Sequence, residues 1–185
     1  LISYYDASNG DLKVAHCGNS ACASGNVLTT VDSTGDVGSF TSITIGSDGF
    51  GLIAYYDGSF RDLKVLHCRN AECSSHTATT VDSGGDVGYG VSIAIGFDGL
   101  GLISYYDFTN GDLKVAHCGN SACNSGNVTS TIDSFGDVGA ASSIAIGTDG
   151  LGLISYYDAS SGDLKVLHCD NLTCNSGTDT VLDTS

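Results

Sequence analysis

Apolar residues along this chain come in short runs of about five to seven, rich in β-branched and aromatic types, each closed by Gly, Asn, Asp or Ser. One unit shows the order. Val91–Gly96 (VSIAIG) is followed by an Asp98-Gly99 turn and by Leu102–Tyr106, which predicts a hairpin. The loop Asp107–Gly111 leads into Asp112–Cys118, and Thr129–Asp133 completes the unit. The runs are apolar on both alternate faces, as Ile43/Ile45 and Leu1/Ile2 illustrate. That pattern is expected of a sheet packed between two neighbours. No stretch carries a helical period.

These runs recur. LISYYDASNGDLK at Leu1 returns in close copies at Leu52, Leu102 and Leu153, and Tyr5, Tyr56, Tyr106 and Tyr157 are spaced 51, 50 and 51 residues apart. A fixed period of this size means one supersecondary unit copied along the chain, and four antiparallel strands per copy predict a β-propeller blade. The expected fold is all-β, with about four blades over repeats 1–38, 39–88, 89–139 and 140–185 of a single array. The LISYYD, DLKV and VDS-type runs each occur four times, but the SIAIG-type inner run occurs three times, at Ser42–Gly46, Ser92–Gly96 and Ser143–Gly147. That gives 15 strands, with the inner strand of the N-terminal blade missing. A sheet short of a strand leaves backbone donors and acceptors unpaired. Two readings follow: a portion of a longer propeller, or a seam completed by another copy into a ring or an open polymer.

Charge narrows the partners. With 21 acidic and 6 basic residues the net charge is −15, which excludes a nucleic-acid backbone or an anionic membrane as partner and favours cations. Apolar residues make up 41%, too many for a disordered tail, and no window reaches about 18 uninterrupted apolar residues, so no membrane span is expected. With no signal segment visible and no Met, the chain reads as a processed mature chain or as one that begins after a further segment.

The eight Cys form four C-x4-C pairs, Cys17/Cys22, Cys68/Cys73, Cys118/Cys123 and Cys169/Cys174. An even, paired count reads as disulfides in a secreted, extracellular protein. Zinc is the competing reading, because His16, His67, His117 and His168 each precede a Cys. Strand neighbours point to opposite faces, however, so such a His and Cys do not easily share one ion.

A second constellation is acidic: Asp32/Asp36, Asp82/Asp86 and Asp133/Asp137, each pair four apart in a Gly-containing loop. Such loops can wrap calcium, which takes 6–8 oxygens in flexible geometry. The competing reading is turn chemistry alone; the strong negative charge favours calcium as the cofactor. Lys13, Lys64, Lys114 and Lys165 sit beside further Asp residues and suggest local ion pairs, and Asp48, Asp98 and Asp149 read as hairpin turns. The paired Tyr of each YYD could stack on a sugar, although half of them should face the interblade core. Sequons at Asn127 and Asn171 permit glycosylation, and both lie beside a Cys clip, on the expected outer edge of a blade.

The motifs Ser3–Asp6, Gly10–Ala15 and Val31–Gly38, with their later copies, resemble a widespread prokaryotic secreted propeller repeat of the form SYYD…GDLK…VD…GDVG. The resemblance spans essentially the whole chain and implies a propeller fold without implying an activity. Where that repeat tends to place two Trp, this chain has the Cys pairs.

Repeated positions are nearly identical, the deviations noted are Arg61, Arg69, Glu72 and His76, and no catalytic motif occurs, so the sequence reads as non-enzymatic. The expected function is a structural protein that assembles with copies of itself into a fibre, tube or ring through incomplete blades, stabilised by calcium. The alternative is a multivalent, lectin-like propeller binding glycans. A third reading is a portion of a propeller enzyme.

Overall fold

The computed structural model describes residues 1–184. Its strands form four antiparallel sheets in chain order. The first holds β1 (Ile2–Asp6), β2 (Asp11–His16) and β3 (Val27–Asp32). The second holds β4 (Val37–Ile45), β5 (Gly51–Asp57), β6 (Asp62–Cys68) and β7 (His76–Asp82). The third holds β8 (Val87–Ile95), β9 (Gly101–Asp107), β10 (Asp112–His117) and β11 (Val128–Asp133). The fourth holds β12 (Val138–Ile146), β13 (Gly152–Asp158), β14 (Asp163–Cys169) and β15 (Gly177–Asp183). Among the described residues there are 15 strands and no helix, an all-β propeller-type array of about four blades in which the first sheet has three strands.

The turns explain the hairpins. At the first inner hairpin Gly49 has φ +84°, Gly46 N–H donates to the Phe50 carbonyl at 2.8 Å, and Asp48 Oδ1 accepts from Phe50 N–H at 3.1 Å. Ile43 then pairs with Ile53, and the same register recurs at Ile93/Ile103 and Ile144/Ile154.

The inner strands are longer than the sequence suggests, at nine residues each. They take in the Val-Gly segment that precedes the SIAIG-type run, because a bulge lets the strand continue: the register of β4 on β5 shifts at Val37/Ser39 and at Ser39/Ser42. Glycine is required there. Gly38 has φ +103°, and a Cβ on it would lie 2.8 Å from Leu12 Cα of the preceding sheet.

Three apolar cores lie between consecutive sheets. The central one joins Leu52, Leu63 and Val65 of the second sheet to Val87, Ile93, Ile103 and Tyr105 of the third, with the Cys118–Cys123 bridge. The flanking cores repeat the arrangement one sheet earlier and one later. Inner strand β4 packs on β8 and β8 on β12, while β1 lies on β4; no comparable packing joins the fourth sheet to the first among the described residues. The sheets therefore form an arc with two open end faces.

Burial records this directly. Every residue of β5 is buried, whereas β13 alternates. Leu52 and Leu102 are 0% and 1% exposed, but the equivalent Leu153 is 41% exposed. At the other end Ile2, equivalent to buried Ile53 and Ile103, is 48% exposed.

Candidate functional site

The first Tyr of each YYD, the Lys of the following strand and an Asp of the preceding sheet converge on one point. Tyr55 OH donates to Asp32 Oδ2 at 2.7 Å, and Lys64 Nζ donates to the same oxygen at 2.7 Å. Tyr105 and Lys114 hold Asp82 at 2.7 and 2.5 Å, and Tyr156 and Lys165 hold Asp133 at 2.7 and 2.6 Å. The strand pattern builds this clamp: the Tyr and Lys are cross-strand partners, as in Tyr55↔Lys64, and the Asp closes the outer strand of the sheet before. Lys64 also lies 3.5 Å from Asp57 of its own sheet.

Electrostatics favour the charged clamp. Burial alone would raise the pKa of Asp32, Asp82 and Asp133, but bonds from the lysine, the tyrosine and a backbone N–H outweigh it and hold all three below the usual carboxylate value. Burial, with the neighbouring carboxylate, pushes the Tyr55, Tyr105 and Tyr156 phenols well above their ordinary value. Each phenol therefore remains a neutral donor.

The second member of each acidic pair has another task. Asp36, Asp86 and Asp137 accept from Tyr5, Tyr56 and Tyr106 at 2.7, 2.7 and 2.6 Å. Tyr106 is pushed up to about 12, by burial first and then by its bond to Asp137. The Asp36 carbonyl accepts from Gly58 N–H at 2.8 Å, and its own N–H donates to Ser59 Oγ at 2.8 Å.

This placement does not fit the calcium expectation for Asp32, Asp36, Asp82, Asp86, Asp133 and Asp137. One carboxylate of each pair is neutralised by a lysine, the other is tied to a phenol, and a loop carbonyl is already used. Among the described residues no three His, Cys, Asp or Glu side chains converge as a metal set.

All four Cys pairs are bridged as C-x4-C clips: Cys17–Cys22, Cys68–Cys73, Cys118–Cys123 and Cys169–Cys174. With both sulfurs of every pair bridged, no thiolate remains for zinc. The second Cys of each clip sits in the left-handed region, with φ +54° at Cys22, +55° at Cys73, +53° at Cys123 and +49° at Cys174. A clip beside the outer edge of a blade suggests a surface staple, and three of the four depart from that. Cys68 and Cys73, Cys118 and Cys123, and Cys169 and Cys174 are fully buried. The reason is that each of these clips packs against the preceding sheet: Cys73 joins the core with Leu12 and Val14, and Cys174 joins the core with Leu102 and Leu113. Cys17–Cys22, with no sheet before it among the described residues, is half-buried.

The His before each of the last three clips faces elsewhere: His67, His117 and His168 Nε2 sit 2.7, 2.8 and 2.7 Å from Asp48, Asp98 and Asp149 Oδ2. Those turn carboxylates thus tie the inner hairpin to the third strand, a contact the sequence did not reveal. Asn127 and Asn171, the two sequon positions, are half-buried and use their side-chain amides within the clip loops, donating to Cys123 O at 2.9 Å and Asn175 Oδ1 at 2.8 Å.

The first tyrosine of each of the three later YYD copies is not free to stack on a sugar, as expected of the half that faces the interblade core. Tyr55 and Tyr105 are 0% exposed and Tyr156 is 1% exposed. The second tyrosine of the third copy, Tyr106, joins aromatics the repeat does not share: Phe40, Tyr89, Tyr106 and Phe108 line a pocket of about 440 Å³ with Gly90, Ala140 and Ala141. The signal for it was present in the sequence, because Ser39-Phe40, Tyr89-Gly90 and Ala140-Ala141 are equivalent positions where the repeats disagree.

No family model and no curated protein matches the sequence. Among solved structures, a bifunctional GH43-CE protein of Bacteroides eggerthii matches 78% of the chain at TM-score 0.51 and 12% identity. An α-L-arabinofuranosidase from Lactobacillus brevis matches 77% at TM-score 0.53 and 10% identity. The chain spans 19% and 52% of the lengths of those two proteins. At such identity the likeness is one of fold, a propeller shared with carbohydrate-active enzymes.

It also corrects the expectation of a non-enzymatic chain. The neighbours that share the fold are glycoside hydrolases, and the near-identity of the repeats, on which that expectation partly rested, breaks down at the aromatic pocket. No helix is long and apolar enough to cross a membrane among the described residues.

Proposed function

We propose that copies of this chain join head to tail, the fourth sheet of one docking on the first sheet of the next, to build an extracellular ring, tube or fibre. The observation that carries this reading is a clamp left open at both ends. Within the chain the Asp–Tyr–Lys clamp forms three times between consecutive sheets. Asp183 occupies the place of Asp32, Asp82 and Asp133, and it is exposed. Tyr4 and Lys13 occupy the places of Tyr55 and Lys64, and Lys13 has only its own-sheet partner Asp6, at 2.5 Å. One end therefore offers the acceptor and the other offers both donors.

The apolar surfaces correspond in the same way. Leu153 and Leu182 at one end match residues that face the next sheet, and Ile2, Tyr4 and the Cys17–Cys22 clip at the other match residues that face the previous one. A contact between one end and the other is heterologous, so it generates rings when the rotation closes and filaments when it does not. Cations, calcium included, would aid it by screening the −15 charge rather than by occupying a cage. Four disulfides suit an oxidising compartment outside the cytosol. Sedimentation velocity over a concentration series tests the reading: the 185-residue chain is expected to form species that grow with concentration, and a monomer throughout would defeat it.

A second reading, a carbohydrate-binding propeller, is favoured by the aromatic pocket and by the carbohydrate-directed names of the structural neighbours.

A further inference from the structure

We propose that the pocket bounded by Phe40, Tyr89 and Phe108 is a single saccharide-binding site that takes a neutral sugar ring by its apolar C–H face; the proposal rests on the carbohydrate reading and is independent of end-to-end docking. Four observations carry it.

The first is asymmetry. The aromatic rings come from three non-equivalent repeat positions. Phe40 aligns with Gly90 and Ala141, Tyr89 with Ser39 and Ala140, and Phe108 with Ala7, Gly58 and Ala159. Each aromatic replaces a small residue in the other blades, and all three replacements meet at one place. A repeat that serves packing alone has no reason to differ there.

The second is backbone strain. Phe40 sits at φ +53°, in the left-handed region that favours glycine, and its equivalent in the third sheet is Gly90 at φ +56°. A bulky residue held in that conformation with its side chain 51% exposed is not there to fill a core.

The third is geometry. Tyr89 stands between the two phenylalanines, 5.4 Å from Phe108 at 30° and 5.3 Å from Phe40 at 45° between centroids and planes. Phe108 is itself 60% exposed. Small residues Gly90, Ala140 and Ala141 keep the facing wall open. The volume, about 440 Å³, lies within the range of roughly 300–1,000 Å³ usual for small-molecule sites.

The fourth is the polar rim. Tyr56 OH lies 3.2 Å from Tyr89 OH and donates to Asp86 Oδ1, while Tyr106 OH donates to Asp137 Oδ1. Asp86 and Asp137 hold these phenols from behind and are not themselves part of the pocket wall. Aromatic walls that carry the Tyr89 and Tyr106 hydroxyls match a sugar, which has an apolar face and a girdle of hydroxyls. An aliphatic ligand would cover the rings and leave those hydroxyls unused, and an anionic sugar would meet a chain of net charge −15.

The test is calorimetric titration of the full 185-residue chain with neutral hexose and pentose oligosaccharides and, separately, with uronic-acid oligomers, repeated on Phe40→Gly, Tyr89→Ala and Phe108→Ala, with melting temperatures recorded. Neutral oligosaccharides are expected to bind, uronic-acid oligomers at least about tenfold more weakly, and each substitution to weaken binding about tenfold. Phe40→Gly separates a binding role from a packing role, because it is expected to lower affinity while holding or raising the melting temperature. A fall in melting temperature with Phe40→Gly would overturn the strain argument and the proposal with it. Binding that all three variants leave unchanged would overturn this site while sparing the carbohydrate reading. No binding of any neutral sugar at millimolar concentration would overturn both.

Discussion

Asp82 illustrates how single residues hold this array together. Its carboxylate is 9% exposed, receives Tyr105 and Lys114 from the next sheet, and accepts Gly84 N–H at 2.9 Å. Removing one partner of such a pair strands the other charge, which costs about 3–5 kcal/mol. Asp82→Ala is therefore expected to lower stability by that order in chemical denaturation, and Lys114→Met similarly, whereas Arg61→Ala, at an exposed side chain 3.9 Å from Asp86, should change it by less than about 1 kcal/mol.

The same carboxylates set the acid response. Their pKa is lower folded than unfolded, so their contribution is fully present above the unfolded value and is lost as pH falls through the folded one. Melting temperature should fall steeply below about pH 4. Asp62 and Asp112, raised by burial and by the neighbouring Asp57 and Asp107, act in the opposite sense and soften the fall. The Asp82→Ala variant should show a lower plateau and a shallower acid slope. An unchanged slope would mean that the clamp is not what acid breaks.

Strands and turns are the scale at which the sequence was most legible. The period, the Asp-Gly hairpins and the C-x4-C clips each have a short-range physical signature, and β5, β9 and β13 lie where LISYYD recurs. The inner strands were underestimated, because the bulge at Gly38 and Phe40 depends on contact with Leu12 of another sheet, which no local pattern encodes. The burial of Cys73 and Cys174 was hidden for the same reason, since the sheet that covers each clip lies one repeat earlier. The partners of the carboxylates were out of reach in a related way. Two Asp four apart look like a cation loop, but Lys64 lies 32 residues from Asp32 and decides its role. The aromatic pocket was legible only as disagreement between repeats.

A prediction at this scale concerns the clips. Closing so short a loop contributes roughly 2 kcal/mol. The bridge Cys118–Cys123 also sits in the central core with both sulfurs fully buried, whereas Cys17–Cys22 is half-buried at the open end. Replacing Cys118 and Cys123 with Ala should therefore cost more stability than replacing Cys17 and Cys22, as read from denaturant midpoints. Equal losses would argue that only loop closure matters.

At the scale of the whole array the described residues leave two unlike faces, one carrying Asp183 and Leu153, the other Tyr4, Lys13 and Ile2. Within the chain the same kind of contact is made three times, and the proposed joint between copies would repeat it. The most direct measurement is a charge-swap assembly experiment followed by sedimentation velocity. Lys13→Glu places two acids at the docking contact and Asp183→Lys places two bases there, so each variant alone should remain monomeric. Mixed together they regain opposite charges wherever a Lys13→Glu end meets an Asp183→Lys end, and the mixture should form species larger than either variant alone. If both variants assemble alone as well as the unsubstituted chain, or if the mixture stays monomeric while the unsubstituted chain assembles, the clamp is not the joint.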